Sequence, residues 1–214
     1  MNRSAQLPER ARGRPADTDQ QDLKKQILDT AEVMFADNGY AATSIRHIAD
    51  RSGVNPALVH YYFGQKKGLL QSVLERAVEP LGKAIAAMKN APGAAPESIA
   101  GLLISMAAAH PNMPRLLLRE VILPGGEMQQ YFVDNWAPRL GGALPALLDR
   151  EKAAGRMRAD ADPAVAALLL IAISIFPFVA RSLAEPVLGI RYDEAGIAFL
   201  KQQITQLLRQ GMTR

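Results

Sequence analysis

Residues Ile45 to Phe63, IRHIADRSGVNPALVHYYF, restrict the fold more than any other stretch of the chain. Two short helices that cross over a tight turn need a small residue where they approach, a glycine in the turn, and apolar residues that lock the second helix across the first. Ala49 is the small residue and Gly53 the turn glycine, while Ile45, Ile48, Val54 and Val59, with Tyr62 or Phe63, form the lock. Asn55-Pro56 opens the second helix: asparagine accepts an orphan N–H as N-cap, and proline at the first helical position loses nothing by lacking one. Thr43 is placed to cap the helix before it. A helical corner of this kind also occurs with no ligand, so its outward face decides the reading. With Val59, Tyr62 and Phe63 inward, Pro56, Ala57, His60 and Tyr61 point outward. Lys, Glu or Gln would be usual on a merely solvated face. Small residues instead admit a DNA major groove, where Pro56 or Ala57 meets a thymine methyl and His60 and Tyr61 reach base edges or phosphates. Thr43, Ser44 and Lys66 lie near helix N-termini, whose free N–H groups favour phosphate oxygens, and Asn55 can combine capping with contact.

The rest of the chain carries helical period. Ile27, Leu28, Ala31, Met34 and Phe35 predict an amphipathic helix that ends at Asn38-Gly39. From Lys66 the pattern continues to Met88, with a bend expected at Pro80, and Asn90 to Pro96 reads as a loop. Further helices are expected over 97–109, 113–123, 127–155 with interruptions at Pro138, Gly141-Gly142 and Pro145, 163–184, and 193–209. There is no alternation long enough for a strand and no internal repeat. The expected class is all-α, with three parts: a flexible basic arm over 1–20, a three-helix helix-turn-helix DNA-binding domain over 21–67, and a larger helical domain for ligand binding and dimerisation over 68–214.

Charge distribution agrees with one surface that meets a polyanion. The net charge is only +4. Arg3, Arg10, Arg12 and Arg14 stand against Glu9 at the N-terminus, and Arg46, Arg51, Lys66 and Lys67 against Asp50 around the corner. Between them lies an acidic stretch with Asp17, Asp19, Asp22, Asp29, Glu32 and Asp37. Arg12-Gly13-Arg14-Pro15 looks like the core of an AT-hook, in which arginines flanking a glycine enter a narrow minor groove; Arg12 and Arg14 are therefore candidate DNA contacts.

Composition removes most chemistry. With no cysteine and three scattered histidines there is no thiolate or multi-histidine metal site, and no metal or cofactor is expected. No nucleophile elbow and no phosphate-binding glycine loop is present, and Gly125-Gly126 reads as a turn, so no enzymatic activity is expected. The N-terminus has no apolar stretch of the secretory kind, and the expected location is the cytoplasm. Residues 163–180 carry no charge, but Pro177, the alanines and the lack of a second such segment point to burial in a core or between subunits, with no membrane contact.

FADNGY, Thr43, IADRSGV and VHYYFGQKKGLL together resemble the DNA-binding domain of the tetracycline-repressor (TetR) family of bacterial transcriptional regulators, over about residues 24 to 70. The resemblance implies a homodimer that places two third helices in successive major grooves of a palindromic operator in double-stranded DNA, and a repressor released by a small molecule. It implies DNA contacts from Thr43, Asn55, Ala57, His60, Tyr61 and Lys66. His60 stands where tyrosine is common in the family, and Gln65 where a capping serine is frequent.

The middle helices are left for a ligand pocket. Met88, Met106, Met113, Met128, Tyr131, Phe132, Trp136 and Phe176 are candidates for an apolar wall, because methionine adapts to varied shapes and an apolar effector suits such a lining. Arg115 and Arg119, four apart, can clamp an anion or pair with Glu120 or Glu127, and His110 precedes Pro111 at a helix end. The resemblance further suggests a four-helix dimer interface, for which the candidates are Leu169 and Ile173 with Ile197, Leu200, Ile204, Leu207 and Leu208. Two alternatives stay open: a membrane-tethered or scaffolding helical protein, and a non-specific DNA-compacting protein.

Overall fold

The computed structural model describes residues 17–88, 95–140 and 142–212, and the described residues contain helices and turns with no strand. Arg12 and Arg14 lie outside them. The N-terminal unit is α1 (Asp17–Ala42), α2 (Ile45–Ser52), α3 (Pro56–Phe63) and the first turns of α4 (Lys66–Met88). Then come α5 (Pro96–Ala109) and α6 (Met113–Leu117), which runs directly into a π-helix, Leu118–Ile122. The remainder is α7 (Gln129–Asn135), α8 (Ala137–Leu140), α9 (Ala143–Ala153), α10 (Pro163–Val179), α11 (Arg181–Leu188) and α12 (Glu194–Gly211).

Helix α1 starts earlier than the apolar pattern predicts, because the residues that precede Leu23 are polar and carry no apolar period. Its regular ladder does break at the expected place: Gly39 has φ 80 and ψ 169, a conformation essentially confined to glycine. Helix α4 passes through Pro80, which sits on the exposed side of the helix. The long helix expected over 163–184 is instead two helices bent by 72°. The reason is local: Pro177 removes one N–H from the ladder, and its carbonyl accepts from the Tyr192 hydroxyl at 2.5 Å. Among the described residues no single helix is long and apolar enough to cross a membrane.

Three buried clusters hold these helices together. The first joins Ile27, Ala31 and Phe35 of α1 to Ile48 and Ala49 of α2, Val59 and Phe63 of α3, and Leu69, Leu70 and Val73 of α4. It is completed from far along the chain by Met113, Leu116, Val121 and Met128. Each fully buried side chain of this size contributes about 1.5–3 kcal/mol, so the helix-turn-helix is stabilised partly by residues far along the chain. The second cluster lies between α4, α5, α9 and α10, the third between α5, α10, α11 and α12.

Helix α12 corrects an expectation. Ile204 and Leu208 are buried in the chain's own third cluster, and Ile173, Ile197 and Leu200 pack against it. Ile204 and Leu208 do not face outward, and Ile173, Ile197 and Leu200 are only partly exposed. An amphipathic stripe reports that a face is buried but not against what, and here its partner is α5. Of the seven dimer candidates only Leu169 and Leu207 are exposed, at 52% and 57%, and they share the outer surface with Leu168, Phe176, Leu183 and Phe199.

Candidate nucleic-acid interface

The corner forms as its residues require. Gly53 ends α2 in the left-handed conformation (φ 67, ψ 26) and donates its N–H back to the last turn. Asn55 caps α3 by accepting from the Ala57 N–H at 2.9 Å, with Pro56 in the first turn. The lock of Ile48, Ala49, Val59 and Phe63 is fully or nearly fully buried. Ala57, His60 and Tyr61 are exposed, Tyr61 to 76%, and Pro56 is half-buried beside them. The predicted outward face of α3 is thus a single accessible surface.

Two expected contacts fail there. Thr43 does not cap α2: Ser44 does, accepting from the His47 N–H at 3.2 Å. The Thr43 side chain is 2% exposed. Its hydroxyl is spent on the carbonyls of Gly39 at 2.7 Å and Met34 at 3.2 Å, closing the end of α1. The hydroxyl that faces outward is therefore that of Ser44. Lys66 is also committed inward. Its ammonium donates to the carbonyls of Tyr40 at 2.8 Å and Thr43 at 2.9 Å and lies 4.1 Å from the centre of the Tyr40 ring. It binds carbonyls at the end of α1 and just beyond it, and Lys67 is held by Glu127 at 3.0 Å. Lys66→Ala is therefore expected to lower stability by about 1–3 kcal/mol. The salt dependence of DNA binding should then change by less than the roughly one unit of slope that a lost phosphate contact costs. Thermal melts and binding titrations over a salt series check both.

The positive charges that do face outward are Arg46 and Arg51 on α2, both exposed and without a carboxylate partner among the described residues. Charge counting alone places both in the basic patch without marking either as a contact. The signal lay in position: Arg46 is the second residue after the Ser44 cap, where a guanidinium adds to the N-terminal field of the helix.

A second feature lies behind the corner. A cavity of about 250 Å³ is lined by Val78, Leu81 and Ile85 of α4, Leu103 and Met106 of α5, Leu117, Leu118, Val121 and Ile122 of α6 and the π-helix, Phe132 of α7, and Ile171, Ile175 and Val179 of α10. Every lining side chain is apolar. Of the eleven ligand candidates, Met106 and Phe132 line it. Met113 and Met128 are wholly buried beneath α1 in the first cluster, and Met88 packs at the edge of the second. Trp136 is buried against Gly82 and Arg139, outside the lining, and Phe176 is 65% exposed on the outer face of α10. Apolarity in the sequence marks burial without saying which void a side chain borders. The polar candidates fail for a different reason: each already has a partner on α1. Arg115 faces Asp37 at 3.5 Å, Arg119 donates to the Asn38 carbonyl at 3.0 Å, and His110 lies 3.5 Å from Glu32. Tyr131 donates to Glu75, and that bond, with burial behind it, pushes its hydroxyl up to about 12.

The cavity and the corner are joined through Glu120. This residue sits in the π-helix, is 5% exposed, and accepts from the Tyr40 N–H at 3.0 Å and the Glu127 N–H at 3.4 Å. Its neighbours Leu118, Val121 and Ile122 are cavity wall, and its other neighbour Arg119 holds the end of α1. The guanidinium crosses directly over Gly39, where a Cβ would come within 2.3 Å of it. Sequence reasoning read Glu120 only as a possible partner of arginine. A mid-helix π-turn has no signature that composition or period detects.

Comparison with known proteins agrees with this division. The family described as bacterial regulatory proteins, tetR family, matches residues 27–73, and the tetracyclin repressor-like C-terminal domain matches residues 92–211. HTH-type transcriptional regulator BetI of Rhizobium meliloti (strain 1021) is 39% identical over 69 residues, 32% of this chain and 34% of that protein. HTH-type transcriptional repressor Rv3405c of Mycobacterium tuberculosis is 47% identical over 58 residues, 27% of this chain and 31% of that one. The chain thus spans about a third of the length of these curated relatives. Among solved structures, ketosteroid transcriptional regulator KstR2 of Mycobacterium tuberculosis superposes with a TM-score of 0.71 at 16% identity, over 94% of this chain and 97% of that one.

Proposed function

The chain belongs to the TetR family of bacterial regulatory proteins, and on that premise we propose that it is a homodimeric repressor that binds a palindromic operator and lets go when an apolar small molecule enters the cavity. The observation that carries the reading is the exposed face of α3, where Pro56, Ala57, His60 and Tyr61 stand clear of a locked corner. Such a face enters a major groove with Ala57 against bases, while Ser44, Asn55 and Arg46 meet phosphates. The protein acts where the DNA is, in the cytoplasm.

Two copies of α3 engage successive grooves only if their spacing matches one helical turn, about 34 Å. Relief follows from disturbing that spacing. A molecule in the cavity presses on Leu118, Val121 and Ile122. The π-helix carries the displacement through Glu120 to the Tyr40 N–H, and through Arg119 to the Asn38 carbonyl. Lys66 ties the Tyr40 carbonyl to the start of α4, so the base of the corner moves as one piece. The lining offers no hydrogen bond and no counter-ion, so the part of the effector inside is uncharged; burying an unpaired charge there would cost several kcal/mol.

The test is selection of the full-length protein on a randomised duplex library at near-physiological salt, followed by challenge of the retained complex with neutral apolar probes such as N-phenyl-1-naphthylamine. An enriched inverted repeat, released by the probe, is the expected result. Salt-sensitive binding with no enriched sequence would mean non-specific compaction instead, and no binding would leave a scaffold.

A further inference from the structure

We infer that His60 is a specificity-determining residue that accepts a hydrogen bond from the exocyclic amino group of a base, the N4 amino of cytosine or the N6 amino of adenine. The inference rests on the reading that α3 enters the major groove, and it concerns what this ring can do once there.

His60 is exposed on the outward face of α3, yet its ring is not free to turn. Nδ1 lies 2.8 Å from the Gly64 carbonyl oxygen. A carbonyl can only accept, so the proton of the neutral ring resides on Nδ1, and Nε2 is left with its lone pair. Gly64 makes this possible. It terminates α3 with φ 68 and ψ −114, a region that side chains with a Cβ avoid, and there its carbonyl turns back toward the ring one helical turn earlier. Nε2 has no partner among the described residues. The hydrogen bond therefore fixes both the tautomer and the direction of a single unpaired acceptor at the surface offered to DNA.

That assignment sorts the chemistry of the groove. Phosphate oxygens are acceptors, so in the neutral ring this nitrogen cannot bind the backbone. Guanine N7 and O6, adenine N7 and thymine O4 are acceptors too and repel it. Only the amino groups of cytosine and adenine present a free N–H in the major groove. His60 thus reads a donor where most side chains suited to major-groove readout, arginine and lysine above all, read acceptors. Neighbouring Tyr61 stands 76% exposed beside it and is free to take the backbone role.

The experiment is a double-mutant cycle on the operator recovered by selection. Wild type and His60→Ala are both selected, and the position whose base preference the substitution removes is identified. At that position the exocyclic amino group is deleted, with purine deoxyriboside in place of adenine or 2-pyrimidinone in place of cytosine. Separately, the purine N7 is deleted with a 7-deaza base. Loss of the amino group is expected to weaken wild type by about fivefold or more beyond its effect on His60→Ala, while the 7-deaza base affects both proteins equally. Because the cycle compares the same duplexes, any weakening of base pairing cancels. Equal losses in both proteins on amino deletion, or a wild-type-specific loss with the 7-deaza base, would overturn the assignment. So would identical selected sequences for wild type, His60→Ala and His60→Phe. If wild type itself enriches no sequence, the failure lies with α3 as a recognition helix, and the inference falls with it.

Discussion

Phe176→Asp combined with Leu183→Asp should convert the protein to a monomer and lower its operator affinity by about 10²- to 10⁴-fold, the advantage that joining two half-site binders confers. The two side chains are 65% and 69% exposed, on α10 and α11. Along α10 the exposed positions Val165, Leu169, Ala172 and Phe176 recur every three or four residues, one stripe of a helix whose other side is buried in the second and third clusters. Phe199 and Leu207 extend the apolar surface onto α12. A contiguous surface of this kind on a free monomer is unusual. In a two-fold interface each substitution occurs twice, so four buried charges would have to lose water without counter-ions. Sedimentation velocity reads the mass and operator titration the affinity. A variant that stays dimeric would place the interface elsewhere. Because both residues are exposed in the monomer, helicity and melting should change little, which separates this outcome from misfolding.

Glu120→Ala should cost about 2–4 kcal/mol of stability and weaken the response to an apolar effector. The carboxylate satisfies the Tyr40 and Glu127 N–H groups, and leaving a buried donor unpaired costs about 1–3 kcal/mol each. Glu120→Gln keeps one acceptor oxygen and should retain more than half of that stability. The comparison matters because Glu120 is not among the residues that line the cavity, so neither variant changes the lining, yet they differ in their hold on α1. Urea midpoints give the stability. The ratio of operator affinity with and without N-phenyl-1-naphthylamine gives the coupling. If Glu120→Ala binds and releases the operator as wild type does, the π-helix is not the route between cavity and corner.

The corner was legible because its requirements are local. A small residue, a turn glycine, an N-cap followed by proline, and five apolar positions are all satisfied within nineteen residues, between Ile45 and Phe63. Even there a choice between neighbours escaped. Thr43 and Ser44 are both competent caps, and what separates them is that the end of α1 buries the first and leaves the second in solvent. Lys66 reads as a free cation in any count of charge. It is not one, because Gly39 turns the chain so that the carbonyls of Tyr40 and Thr43 converge on its ammonium.

The amino-acid sequence alone determined the helical class, the outward face of α3 and the family, since each is written in side-chain spacing along a short stretch of chain. Tertiary structure alone decided which stripe of α12 is core and which is free, which apolar residues border the cavity, and where Glu120, Arg119 and Lys66 direct their polar ends. The physical reason is range. Helical period and capping are energies between residues a turn apart, whereas Tyr40 and Glu120 are separated by 80 positions. Their bond exists only because Met113, Leu116 and Val121 pack against Phe35 and bring the two backbones together.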